Sequence, residues 1–300
     1  MRIEKPLAWI KWLVCGLVAL RFVSQIAVVP VMVHVETHPA RYTAGDASPA
    51  DFGLDYRDVT LTGSDGVPLR GWYIPSQNGA VVMLLHGYIG HRGTVLAQAA
   101  ALARHGYGVL LYDLRAHGES GGDLVTFGWQ DVNDVTTAVH FLQDQADVDE
   151  TRIGIFGFSL GGQIAIRAAA QMDEIEAVVV DDPGFAQPRD MPPPVTLGER
   201  WQGWQDLYWF KCLEWQTGLS APDAVIDVIG GIAPRPILFI STGAQGGPGQ
   251  RMIQHFYEHA AEPKALYRIP EAEHGTSWSA RPQEYEREMV TFFDRALLGE

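Results

Sequence analysis

Ser159 stands in the run Gly157-Phe158-Ser159-Leu160-Gly161, with a β-prone apolar stretch (153–156) directly before it and an Ala/Ile-rich helical pattern (160–172) directly after. A serine at a sharp strand-to-helix turn lifts its hydroxyl above the edge of a sheet, and glycines two residues to either side let the backbone make that turn. The chemistry this allows is nucleophilic attack on a carbonyl carbon, once a base has taken the hydroxyl proton. Gly118-Glu119-Ser120-Gly121-Gly122 matches the same G-x-S-x-G spacing without the same setting: Ser120 trails its strand by several residues, and Asp123 and a polar-aromatic stretch follow it. Ser159 is the expected nucleophile and Ser120 an expected turn residue.

The base for such a serine is usually a histidine held by a carboxylate, and in strand-turn-helix sites it follows the nucleophile in the chain. Of 10 histidines only His255, His259 and His274 do so. The first two fall within a helical pattern, whereas His274-Gly275 follows the last strand pattern in a loop that can reach back over the sheet. His274 is therefore the expected base. The run from His255 to His259 also reads H-x-x-E-H, an inverted zinc-protease spacing, but zinc needs a further ligand, and the residues that remain are mostly committed to a strand and a terminal helix. No metal and no cofactor are expected.

These residues need a scaffold, and the hydrophobic pattern supplies one. Alternating stretches at 56–62 and 67–74, split by Ser64-Asp65-Gly66, predict an opening hairpin, and the unbroken apolar run 80–85 predicts a strand buried on both faces. Helical patterns at 94–105, 132–143, 160–172, 250–261 and 282–298 then alternate with strands at 108–112, 153–156, 177–180, 237–240 and 265–269. Such alternation means a mostly parallel central sheet with helices on both faces, an α/β fold. It breaks over 184–230, where Pro192-Pro193-Pro194 precedes Trp201, Trp204, Tyr208, Trp209, Phe210 and Trp215, and a cap or lid insertion is expected there above the nucleophile. Trp72 and Trp129 are expected in the core.

Residues 1–35 read as an N-terminal membrane-anchor segment, since 12–33 is long enough to cross a bilayer and carries a single charge, Arg21. A cleaved signal peptide and an amphipathic surface helix are the rival readings. Arg2, Lys5 and Lys11 ahead of the segment favour a single-pass anchor with the catalytic domain outside the cytoplasm. Residues 36–54, rich in Pro, Ala, Gly and Asp, read as a linker, and 55–300 as one α/β domain. The formal net charge of −14 leaves no basic stripe for nucleic acid. The two cysteines, Cys15 and Cys212, suggest neither a disulfide framework nor a metal site.

With Leu85-His86-Gly87-Tyr88, the run from Tyr112-Asp113 to Glu119-Ser120, Gly157 to Gly161 and Glu273-His274-Gly275 in that order, the chain resembles an α/β-hydrolase, in particular the membrane-tethered bacterial members near the dienelactone-hydrolase and acyl-peptidase branches. The resemblance implies an oxyanion hole from the backbone N–H groups of Tyr88 and Leu160, and structural roles for His86, His117 and Ser120. It also implies an acid after the strand before last, yet the turn there, 241–248, contains no carboxylate. Asp182, after the sixth strand, is where similar neutral lipases carry theirs and is the first candidate; Asp181 is the second, a site without an acid the third, and Glu271 and Glu273 lie too near His274 in sequence to align well. The expected function is a serine hydrolase acting on a small-molecule carboxylic ester or thioester through an acyl-enzyme. The alternatives are a serine peptidase or amidase, or a non-catalytic binding protein of the same fold.

Overall fold

The fold is built on strands whose apolar residues do not alternate. In a computed structural model describing residues 6–244 and 246–300, β3 (Val81–Leu85), β4 (Gly108–Tyr112), β5 (Ile153–Phe158), β6 (Ile175–Asp181) and β7 (Ile237–Thr242) lie inside the sheet with almost every side chain buried. β1 (Arg57–Thr62) and β2 (Pro68–Ile74) form the antiparallel hairpin at one edge, and β8 (Lys264–Ile269) closes the other. The order is β1-β2-β4-β3-β5-β6-β7-β8, with β2 antiparallel to β4 and every later pair parallel. Because β3 and β5 are neighbours at the centre, the loops after them, 86–90 and 159, meet at one end of the sheet.

Helices cover both faces, as parallel connections require. The described helices are α1 (Pro6–Thr37), α2 (Leu96–Arg104), α3 (Asp131–Gln143), α4 (Leu160–Ala169), α5 (Leu197–Thr217), α6 (Val225–Val228), α7 (Pro248–His259), α8 (Ser277–Ala280) and α9 (Pro282–Phe293), the last running into a wider turn to Leu298. On one face Val135, Ala165 and Phe256 from α3, α4 and α7 pack on the sheet. On the other, Ala99 and Leu102 from α2 meet Tyr285, Met289 and Phe293 from α9. The predicted strands and helices are present with ends shifted by a few residues, as expected where terminal hydrogen bonds fray.

The insertion at 184–230 is dominated by one 21-residue helix, α5, starting at the Thr196 cap and ending at Gly218 in the left-handed region. The N-terminal helix does not stop at residue 35: it continues to Thr37, and its last turns pack on α5 in a small separate core with Val29, Val33, Phe210 and Leu213. Trp129 is buried, as expected, in that small core beneath the cap, and its indole donates to the Ala186 carbonyl at 3.2 Å. The expected linker is also tied down, because Val125 N–H donates to the Thr37 carbonyl at 2.8 Å and Arg41 donates to the carbonyls of Ser120 and Gly122. Trp72 lies in the main core with the Arg92 guanidinium 4.4 Å over its ring.

Candidate active site

Ser159 links β5 to α4 with φ 52 and ψ −113, a left-handed backbone that an L-residue adopts only under constraint. The constraint is crowding: a Cβ on Gly157 would lie 2.2 Å from the Gly161 carbonyl oxygen, and one on Gly161 would lie 2.4 Å from that of Leu85. Backbone bonds fix the turn further, with Ser159 N–H donating to Asp181 O at 2.9 Å and Gly184 N–H donating to Ser159 O at 2.8 Å. The two glycines thus let strand, turn and helix touch, and the side chain is forced outward.

His274 Nε2 lies 3.0 Å from Ser159 Oγ. Its other nitrogen, Nδ1, faces the Asp182 carboxylate at 3.5 Å, and the hydrogen bond and charge of Asp182, with the Asp181 charge adding to them, outweigh burial and raise the imidazole pKa above its ordinary value. Asp182 itself is buried and accepts from the Thr242 N–H at 2.9 Å and from the Thr242 hydroxyl. The last residue of β7, at the start of the turn from which the resemblance would draw an acid, therefore contributes the donors that aim a carboxylate carried at the end of the neighbouring strand; Gln245 of that turn lies outside the described residues.

Asp181 and Asp182 separate because consecutive side chains at a strand end leave on opposite sides. Asp181 is turned away from His274 into a buried pocket, where it accepts from Ser277 Oγ at 2.8 and 2.7 Å and from Tyr285 OH at 2.9 Å. Burial, with the Asp182 charge adding to it, pushes its pKa up to about 7. Glu273 is engaged elsewhere, its N–H donating to the Thr276 hydroxyl oxygen at 2.8 Å.

The loop after β3 lies against the serine, since a Cβ on Gly87 would sit 3.2 Å from Ser159 Cβ. His86 shapes this loop from below. Leu114 N–H donates to its Nε2 at 2.9 Å, so Nδ1 carries the proton and donates to Gly87 O at 2.8 Å; complete burial holds the ring neutral, its pKa pushed down to about 3. Tyr88 and Leu160 line the same cavity as Ser159. Leu160 opens α4, and the first N–H groups of a helix have no intrahelical acceptor. Ser120 is buried in the brace beneath, donating to Asp113 O at 2.6 Å and accepting from Arg70 N–H at 2.9 Å. His117 is buried beside His86 at 5.1 Å between ring centres. His255 and His259 lie on α7 with ring centres 4.5 Å apart, and His255 opens onto a different cleft.

Above Ser159 is a cavity of about 610 Å3. One of its walls was not foreseen: Val29, Met32 and Glu36 of α1 line it together with Trp209 and Phe210 of α5, against which they pack. Glu36 is the junction, its carboxylate accepting from the Trp209 indole at 2.6 Å while its backbone carbonyl accepts from Tyr88 OH at 2.8 Å. Neither contact has a local sequence signal, because both join residues far apart in the chain.

A solved esterase of Pyrococcus furiosus, Pf2001, superposes with a TM-score of 0.71 and 27% identity, covering 88% of this chain and 99% of its own. The chain belongs to the α/β-hydrolase superfamily. A family model described as serine aminopeptidase, S33, matches residues 76–212 of this hydrolase. YfhR of Escherichia coli strain K12 is 27% identical over 248 residues, 80% of this chain and 81% of its own length. The α/β-hydrolase domain-containing protein WAV2 of Arabidopsis thaliana is 26% identical, covering 85% and 82%. A dienelactone hydrolase from Anabaena variabilis shares the fold at a TM-score of 0.61 and 19% identity, covering 81% of this chain and 99% of that one.

Proposed function

We propose that this hydrolase is a serine esterase or thioesterase working through an acyl-enzyme at Ser159. The observation that carries the reading is the line from Ser159 Oγ to His274 Nε2 at 3.0 Å and from His274 Nδ1 to the Asp182 carboxylate at 3.5 Å. In it, His274 takes the hydroxyl proton as Ser159 Oγ attacks the acyl carbon, and Asp182 stabilises the imidazolium that forms. The N–H groups of Tyr88 and Leu160 meet the charge on the carbonyl oxygen, a donor of this kind being worth about 2.7 to 4 kcal/mol of barrier. The C–O or C–S bond then breaks, the leaving alcohol or thiol takes the proton from His274, and water repeats the sequence to release the acid.

The description of the family model as a serine aminopeptidase supports a second reading, cleavage of an amide by the same groups. Fluorophosphonate labelling tests the shared core: it should vanish in Ser159→Ala and persist in Ser120→Ala. A native protein that takes no label would leave a binding protein of this fold as the better account. Turnover of p-nitrophenyl esters beside aminoacyl anilides separates the two enzymatic readings, and faster anilide cleavage would favour the peptidase.

The reading extends to location. Residues Trp9–Thr37 form a helix long and apolar enough to cross a membrane, and side chains from Trp9 to Met32 are mostly exposed. A single-pass anchor with the catalytic domain outside the cytoplasm accounts for that surface. Of the basic residues that favour this orientation, Arg2 and Lys5 lie outside the described residues.

A further inference from the structure

We infer that the cavity over Ser159 receives the acyl chain of an ester dissolved in the bilayer, which enters along the faces of α1 and α5 that line the cavity. The inference rests on the serine-hydrolase and anchor readings above and names their substrate class: long-chain carboxylic esters of the membrane rather than soluble ones.

Length supplies the first argument. A hydrocarbon core of about 30 Å takes roughly 20 helical residues, and α1 has 32. If the exposed apolar stretch from Trp9 fills the bilayer, the turns that follow stand at its surface, and those turns carry Val29, Met32 and Glu36, which line the cavity. The membrane-facing helix and the wall of the active site are thus one continuous element.

The cap supplies the second. The first half of α5 runs beside α1, with Phe22 and Trp204 stacked at 5.2 Å and Tyr208 OH donating to Ile26 O at 3.0 Å. Its outer side leaves Leu197 84% and Leu207 49% exposed, with Trp201 stacked on Trp204 at 5.6 Å. Tryptophan and tyrosine beside exposed leucines are the side chains that settle at a membrane interface. They place the seam at the level where lipid esters present their carbonyl groups, and the cavity that continues toward Ser159 joins apolar Val29, Met32, Phe127 and Phe210 to polar Gln202 and Asp206 of α5. A water-soluble ester would need none of this surface.

The test uses the full chain in phosphatidylcholine vesicles and two fluorophosphonates, one with an ethyl and one with a hexadecyl chain. The long probe concentrates in vesicles whichever variant is present, so the readout is the ratio of long-chain to short-chain labelling rates in Met32→Trp relative to the native protein. The ratio should fall at least tenfold, because the indole fills the space the chain would occupy. If Met32→Trp fails to fold, Met32→Phe should lower the ratio at least threefold. A ratio within threefold of native for the folded Met32→Trp, or unchanged for Met32→Phe, overturns the inference while leaving the serine reading intact. Absence of labelling by both probes in the native protein overturns the serine reading, and the inference with it.

Discussion

Replacing Asp182 with Asn changes one atom and tests how His274 is oriented. Asp182 accepts from both the N–H and the hydroxyl of Thr242. An asparagine there keeps its carbonyl oxygen on the Thr242 N–H and turns its NH2 toward His274. Nδ1 must then accept, which moves the ring proton to Nε2, where it faces Ser159 and can no longer accept the hydroxyl proton. The charge is lost as well. An imidazolium–carboxylate pair at 3.5 Å is worth about 4 to 5 kcal/mol at an effective dielectric constant of about 20. Since the His274 side chain is 59% exposed, solvent screening reduces this to about 2 to 3 kcal/mol, or a factor of roughly 30 to 150. With the tautomer penalty added, kcat for a p-nitrophenyl ester should fall about 10^3-fold, within the range of roughly 10^4 known for the corresponding change in serine proteases. The pH profile gives an independent readout. The carboxylate raises the His274 pKa, so activity, which needs the neutral ring, rises with pH along a limb above the ordinary histidine value. Removing the carboxylate should move that limb to lower pH. A loss of less than threefold, or a limb that stays in place, would refute Asp182 as the partner of His274.

Three further outcomes follow from the geometry. Ser159→Gly should abolish labelling yet raise the melting temperature, because glycine relieves a left-handed residue costing about 1 to 2 kcal/mol; a lower melting temperature would argue against strain at the turn. Asp181 binds its proton more tightly folded than unfolded, with a folded pKa of about 7, so it favours folding below the ordinary carboxylate range and loses that contribution as pH rises toward 7. Asp181→Asn should flatten the fall in thermal stability between about pH 4 and pH 7, and an unchanged profile would count against it. Cys15 is exposed on α1 whereas Cys212 is buried, so in intact membranes a charged maleimide should label Ser48→Cys but neither native cysteine. Equal labelling at positions 15 and 48 would remove the spanning helix.

Legibility followed the range of the interactions. Ser159 could be read because the strand, the glycines and the helix that constrain it are contiguous, and the parallel sheet because its strands are uninterrupted apolar runs. The approach of His274 to Ser159 could be expected from its loop position alone. Which of the two aspartates faces His274 could not be read, since what separates Asp182 from Asp181 is the sideways exit of each from the end of β6 and the presence of Thr242 on the next strand. The wall formed by α1 was invisible for the same reason: Glu36 sits in a stretch with the composition of a linker, and its partners Tyr88 and Trp209 come from two distant parts of the chain.

The way α1 is fastened carries a practical warning. Trimming an apolar N-terminal helix is the usual route to a soluble, crystallisable protein, and here a cut after Thr37 would remove part of the wall of the cavity over Ser159. It would leave Tyr88 OH and the Trp209 indole without their acceptors and open one side of the cavity to water. On the proposed serine-esterase reading, a shortened form would still attack small activated esters, and screening it would report a permissive, weak activity. Substrate surveys on this chain belong in vesicles or detergent, with the helix attached.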